Sequence, residues 1–180
     1  MVDGGSLGVS LLPDEDHLID TSSIPGVGRD IRSLAKETVV AASADNVWGA
    51  WTSSEGIAEW WNPPRTTIEL RVGGPFELLF LVDGPEGSRG SEGCRYLAYV
   101  PGEMVAFTWN APPHLALREA HTWVVITFTK LGSESTNVRL VHTGFLDGPD
   151  WDAYMAYFDD AWGGVLDRLT DHWRTQERPV

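Results

Sequence analysis

Residues 150–173 read Asp150-Trp151-Asp152-Ala153-Tyr154-Met155-Ala156-Tyr157-Phe158-Asp159-Asp160-Ala161-Trp162-Gly163-Gly164-Val165-Leu166-Asp167-Arg168-Leu169-Thr170-Asp171-His172-Trp173. Met155, Phe158, Trp162, Val165, Leu166, Leu169 and Trp173 recur with a period near 3.6 and fall on one helical face. Asp152, Asp159, Asp160, Asp167 and Asp171 occupy the opposite face, and the acids in the first turns favour the helix dipole. This spacing predicts one long amphipathic helix, capped by Asp150 or Asp147. Gly163-Gly164 sits in its middle, where each Gly costs about 1 kcal/mol relative to Ala. Close approach of a sheet or a ligand is one reason to keep them; tolerance in a helix held by packing is the other.

Upstream of that helix the pattern is β. Ile31 to Ala42 is strand-like. Ser43-Ala44-Asp45-Asn46 then starts a short helix with Ser43 as N-cap, and Trp48 and Trp51 share its face. Ser54 to Trp61 forms a second short helix, stopped by Pro63-Pro64. Strand-like runs follow at Thr66–Val72, Pro75–Val82, Gly93–Val100, Met104–Trp109, His121–Lys130 and Ser135–Thr143. Gly73-Gly74, residues 83–90, Pro101-Gly102, residues 110–120 and residues 131–134 punctuate them. Hairpin-length spacing predicts an antiparallel meander. Its apolar face needs a cover, and the long helix is the one element able to provide it. The fold class is therefore α+β: a curved antiparallel sheet wrapped around a C-terminal helix, with a cavity in the gap. We place the domain at 29–176, an N-terminal arm at 1–28 and a short tail at 177–180.

Composition narrows the function classes. The 180 residues carry a formal net charge of -13, and Lys occurs only at Lys36 and Lys130. No basic stripe can form, which argues against nucleic acid and anionic membrane as partners. Cys94 is the single cysteine. It excludes an intramolecular disulfide framework and disfavours Cys-based metal sites. There is no apolar run of about 18 residues for a membrane span and no basic region followed by an apolar stretch near the start. A cytoplasmic setting is the expectation.

The motifs in this order resemble the helix-grip superfamily of START-like or Bet v 1-like proteins (SRPBCC). Within it they are similar to the branch named after the Hsp90 ATPase activator's C-terminal domain. The resemblance rests on Val47-Trp48-Gly49-Ala50-Trp51-Thr52, Glu55-Gly56-Ile57-Ala58-Glu59-Trp60-Trp61, Val72-Gly73-Gly74-Pro75-Phe76, Val105-Ala106-Phe107-Thr108-Trp109, His142-Thr143-Gly144-Phe145 and Trp162 to Leu169. It implies the helix-grip fold far more firmly than any activity. Members of the superfamily bind sterols, lipids, hormones or polyketides, and some are cyclases or hydrolases.

Trp makes up nine of the 180 residues. Any single large ring is more often core than ligand wall, but as a set the rings suit a pocket for an amphipathic organic molecule. The expected cavity residues are Trp60, Trp61, Phe76, Phe80, Tyr96, Trp109, Trp123, Phe158 and Trp162. The expected partner is a small hydrophobic or amphipathic molecule. No cofactor and no metal is called for, and a homodimer through apolar outer strand positions stays open. Two other functions stay open as well. One is an enzyme, a cyclase, dehydratase or hydrolase, using His121 or His142 as its base. The other is a co-chaperone-like interaction module.

Overall fold

The computed structural model describes residues 31–176. The arm at 1–28 and the tail at 177–180 lie outside the described residues. The elements run β1 (Arg32–Val40), α1 (Ala44–Thr52), α2 (Ser54–Trp60), β2 (Arg65–Ile68), β3 (Phe76–Leu79), β4 (Tyr96–Val100), β5 (Met104–Asn110), β6 (His121–Gly132), β7 (Ser135–Phe145) and α3 (Pro149–Gln176).

Local chemistry sets the boundaries of the short helices. The Ser43 hydroxyl accepts from the amide of Asn46 at 3.3 Å and starts α1. Ser53 ends α1 and begins α2, its hydroxyl accepting from the amide of Gly56 at 3.0 Å. A Cβ on Gly56 would sit 2.6 Å from the Gly49 carbonyl oxygen, so only glycine lets the two helices meet this closely. The Trp60 indole donates to the Ala50 carbonyl at 3.0 Å and locks the pair. Asn62, at φ 53°, takes the left-handed position that closes α2 ahead of Pro63-Pro64. At α3, Pro149 takes the first position, and the Asp152 amide donates to the Gly148 carbonyl. Of the two expected caps, Asp147 lies with its carboxylate 3.4 Å from Arg32, and Asp150 falls inside the first turn.

The strands do not form one meander. β1, β7, β6, β5 and β4 make a five-stranded antiparallel sheet in that order, while β2 and β3 make a separate two-stranded sheet. The two meet through an irregular seam. There Phe76 donates to Cys94, Tyr96 to Gly74 and Gly73 to Tyr96, all through the backbone. β2, β3 and β4 are shorter than the apolar runs that contain them; β3 ends because the backbone donors at 80 and 81 turn to the Arg89 carbonyl instead of extending the ladder.

Alternation places the core. Thr122, Val124, Ile126 and Phe128 of β6 and Thr136, Val138, Leu140 and His142 of β7 point inward and are buried. α3 packs along β1 and β7 on this inner face, and α2 touches both α3 and β2. Lys36 to Asp159 at 2.8 Å and Thr38 to Thr170 at 3.1 Å tie α3 to the β1 edge. The ion pair is exposed and contributes about 0–1 kcal/mol; burial of the stripe Phe158, Trp162, Leu166 and Leu169 carries the packing. Because α3 leans toward β1 and β7, space opens between it and the other side of the sheet. A Cβ on Gly163 or Gly164 would meet no atom within 4 Å, so neither a sheet nor a wall requires these glycines.

Candidate functional site

The space beside α3 is a cavity of about 390 Å³. Its apolar wall comes from four elements. Trp61 caps the C-terminus of α2, β5 contributes Trp109, and α3 presents Phe158 and Trp162, with Phe80 following β3 at the mouth. Trp61 and Trp109 stack with centroids 6.1 Å apart. Trp162 meets Trp61 edge-on at 6.0 Å and stacks on Phe158 at 5.6 Å. Offset and edge-on geometries of this kind are favourable, and they leave ring faces available to an organic molecule.

The wall rests on a buried polar cluster. The Trp162 indole donates to His142 Nδ1 at 2.9 Å. That nitrogen is therefore unprotonated, and the Nε2 proton is donated to Thr122 Oγ1 at 2.6 Å. The Tyr154 hydroxyl, 2.9 Å from Thr122 Oγ1, donates to the same oxygen, and Thr122 donates in turn to the Trp109 carbonyl at 3.0 Å. Every polar atom in the cluster has a partner, as burial demands. Burial pushes His142 down to about 3 and the Tyr154 phenol upward, so both stay neutral.

The rim is built from two loops. Residues 80–91 follow β3 and residues 111–120 follow β5. Ser91 pins the first loop to β3, accepting from the Leu78 amide at 2.7 Å and donating to the Phe76 carbonyl at 3.2 Å. Arg118 crosses between them. Its guanidinium donates to the carbonyls of Gly87 at 2.8 Å, Gly90 at 2.5 Å and Ala111. Arg89 faces the cavity too, but its charge is met by Glu92, with Nε to Oε1 at 2.6 Å. Loss of solvent raises the Glu92 carboxyl, but hydrogen bonds from the Arg89 amide and side chain outweigh it and hold the group below its ordinary value.

The anticipated site residues separate into three groups. Trp61, Phe80, Trp109, Phe158 and Trp162 come together around the cavity. Trp60, Phe76 and Tyr96 are buried behind it: Trp60 between the two short helices, Phe76 stacked on Phe107 at 3.9 Å, and the Tyr96 hydroxyl toward the Trp51 carbonyl. Trp123 stands apart. It shares the outer sheet face with His121, and its ring covers Gly144. Alternation groups Trp123 with His121, but the inner face belongs to their neighbours. His121 is exposed, and His142 spends both ring nitrogens inside the cluster. The Arg95 guanidinium, just before β4, donates to the Gly73 carbonyl. Arg118 has no sequence signal beyond its charge, because its partners are loop carbonyls. Among the described residues no three His, Cys, Asp or Glu side chains converge as a metal site, and no helix is long and apolar enough to cross a membrane.

Comparison with known proteins agrees with this architecture. Solved structures share the fold at low identity. A protein of Mesorhizobium loti, MLL2253, is 20% identical, covers 82% of this chain and 100% of its own, and superposes with a TM-score of 0.65. SA2116 from Staphylococcus aureus, a protein of unknown function, is 15% identical over 83% of this chain and 98% of its own, with a TM-score of 0.58. DynU16, from the dynemicin biosynthetic locus, is 19% identical over 80% of this chain and 48% of its own, with a TM-score of 0.58. No curated protein matches the chain. The family described as Activator of Hsp90 ATPase homolog 1-like protein matches residues 41–173. That span takes in both short helices, β2 to β7 and most of α3, and the chain belongs to this family.

Proposed function

We propose that this protein binds a small hydrophobic or amphipathic molecule in the cavity between the sheet and α3. The observation that carries the reading is a ligand-sized space of about 390 Å³ walled by Trp61, Trp109, Phe158 and Trp162. The family supports the fold and leaves the occupant to be argued from the site. The enzyme alternative draws little support from the histidines. His142 is neutral with both nitrogens engaged, and His121 is on the opposite face.

The test is a fluorescence titration with N-phenyl-1-naphthylamine, an uncharged apolar probe. Saturable enhancement is expected, together with quenching of tryptophan emission. Ala161 lines the cavity on α3, and Ala161→Trp fills it without touching the buried cluster. That variant is expected to abolish saturation. A linear, unsaturable response from the natural chain, or saturation untouched by Ala161→Trp, would overturn the reading.

A further inference from the structure

The chain has a formal net charge of -13, yet among the described residues no Asp or Glu lines the cavity. The charged side chains on its wall are Arg89 and Arg118, with His114 at the loop. Arg89 is neutralised by Glu92. Arg118 donates its hydrogen bonds to three backbone carbonyls, and the Glu92 carboxylate feels its charge without bonding to it. A guanidinium has five N–H donors, so two remain beyond those three bonds. Carbonyl oxygens satisfy hydrogen bonds without cancelling a full charge. Arg118 is half-buried in the rim, so its charge is screened less than that of a fully exposed cation.

We propose that the occupant is an organic carboxylate, with its apolar body against Trp61, Trp109 and Trp162 and its acid group on Arg118. The proposal rests on the ligand-binding reading above and names the ligand's chemical class. Arg118 suits the role because its fork matches a carboxylate. Its three carbonyl bonds come from both loops and fix it before any ligand arrives, which lowers the ordering cost of binding. The protein's overall negative charge opposes an anion. Preference for a carboxylate would therefore have to arise locally, within the roughly 8 Å over which charges act at physiological salt.

Calorimetry with three molecules of one shape tests this: 2-naphthoate, 2-naphthamide and 2-naphthylmethylammonium. The natural chain is expected to bind naphthoate about tenfold more tightly than naphthamide and the ammonium most weakly. Arg118→Met is expected to bring the naphthoate-to-naphthamide ratio close to one, whatever the absolute affinities. Arg118→Lys keeps the charge, loses the fork and retains part of the ratio. Arg118 also joins the two loops, so a second measurement guards against a variant that does not fold. In the natural chain, the NMR signal of Arg118 Nε–H should shift with naphthoate and stay in place with naphthamide. A ratio near one in the natural chain, a ratio unchanged by Arg118→Met, or equal shifts with both molecules would overturn the proposal. If the amide and N-phenyl-1-naphthylamine bind while naphthoate gains nothing, the carboxylate assignment alone falls. If none of the probes binds, the ligand-binding reading falls with it.

Discussion

Trp162 and His142 are joined by one hydrogen bond, indole N–H to Nδ1 at 2.9 Å, which ties a ring of the cavity wall to an imidazole that burial keeps neutral. The groups facing that imidazole are Thr122, Phe145, Tyr154, Phe158 and Trp162, none of them charged.

A pH dependence follows. Unfolded, His142 titrates near its ordinary value of 6.5; folded, burial moves it to about 3. Below 6.5 the unfolded chain binds a proton that the folded chain refuses. Stability from this group is thus complete above about pH 6.5 and is lost as pH falls toward 3, at up to about 1.4 kcal/mol per pH unit. His142→Phe removes the dependence while keeping the ring. Urea unfolding between about pH 4 and 6 should give a shallower curve for the variant by up to that slope. At neutral pH the variant should be about 1–3 kcal/mol less stable, because the buried Trp162 indole N–H loses its acceptor. Identical slopes would show that the imidazole is not held neutral.

Phe80 offers a separation of binding from folding. It is 39% exposed, yet its ring lies 6.0 Å from that of Trp61 at the mouth of the cavity. Phe80→Ala should shift stability by no more than about 1 kcal/mol and weaken N-phenyl-1-naphthylamine binding severalfold. Trp61→Ala should lose binding and also about 3–5 kcal/mol of stability, since Trp61 is buried against Trp51, Trp60 and Trp162 as well. Thermal unfolding beside the probe titration separates the two cases.

Two kinds of glycine should respond with opposite signs. A Cβ at Gly163 or Gly164 meets nothing, so Ala at either should raise stability by about 0.5–1 kcal/mol through helix propensity. Gly144 has φ 100°, and a Cβ there would lie 2.7 Å from the Trp123 ring. Gly144→Ala should cost at least about 2 kcal/mol, from backbone strain plus a displaced indole. Differential scanning calorimetry reads both signs.

Cys94 should be chemically silent in the native protein. It is fully buried, and loss of solvent raises its thiol to about 12. At pH 8 only about one molecule in 10,000 would carry a thiolate. An aromatic disulfide reagent should therefore label it only on unfolding, and labelling in urea should follow the unfolding curve. Rapid stoichiometric labelling of the folded chain would contradict this burial.

Much of this fold can be read in the sequence where one local rule suffices. The 3.6 period marks α3, Ser43 marks the start of α1, and Pro63-Pro64 marks the stop after α2. Alternation groups His121 with Trp123 and Val138 with His142, but it is symmetric between faces. Which face meets α3 depends on the turn of the whole sheet, and so Trp123 falls on the outside. The seam between β3 and β4 is not legible because tertiary hydrogen bonds to Arg89 and Cys94 override an apolar run. The polar cluster unites β5, β6, β7 and α3, four elements whose meeting no spacing records. Arg118 carries no sequence signal because nothing periodic marks a guanidinium that reaches carbonyls 28 and 31 residues away.

The cavity's support is divided between side chains from regular elements beneath and a clasp between loops above. The Trp162–His142–Thr122 cluster tolerates little change, since each member leaves a buried donor or acceptor stranded when removed. The loops spanning 80–91 and 111–120 are joined by Arg118 through main-chain oxygens, which every residue type supplies. Arg118, Ser91 and the positive-φ Gly87 and Gly90 are fixed, but other side chains along these loops can be exchanged without breaking the clasp. The scaffold can therefore retune what it admits at the rim while its foundation stays fixed, a division suited to redesigning selectivity by loop grafting.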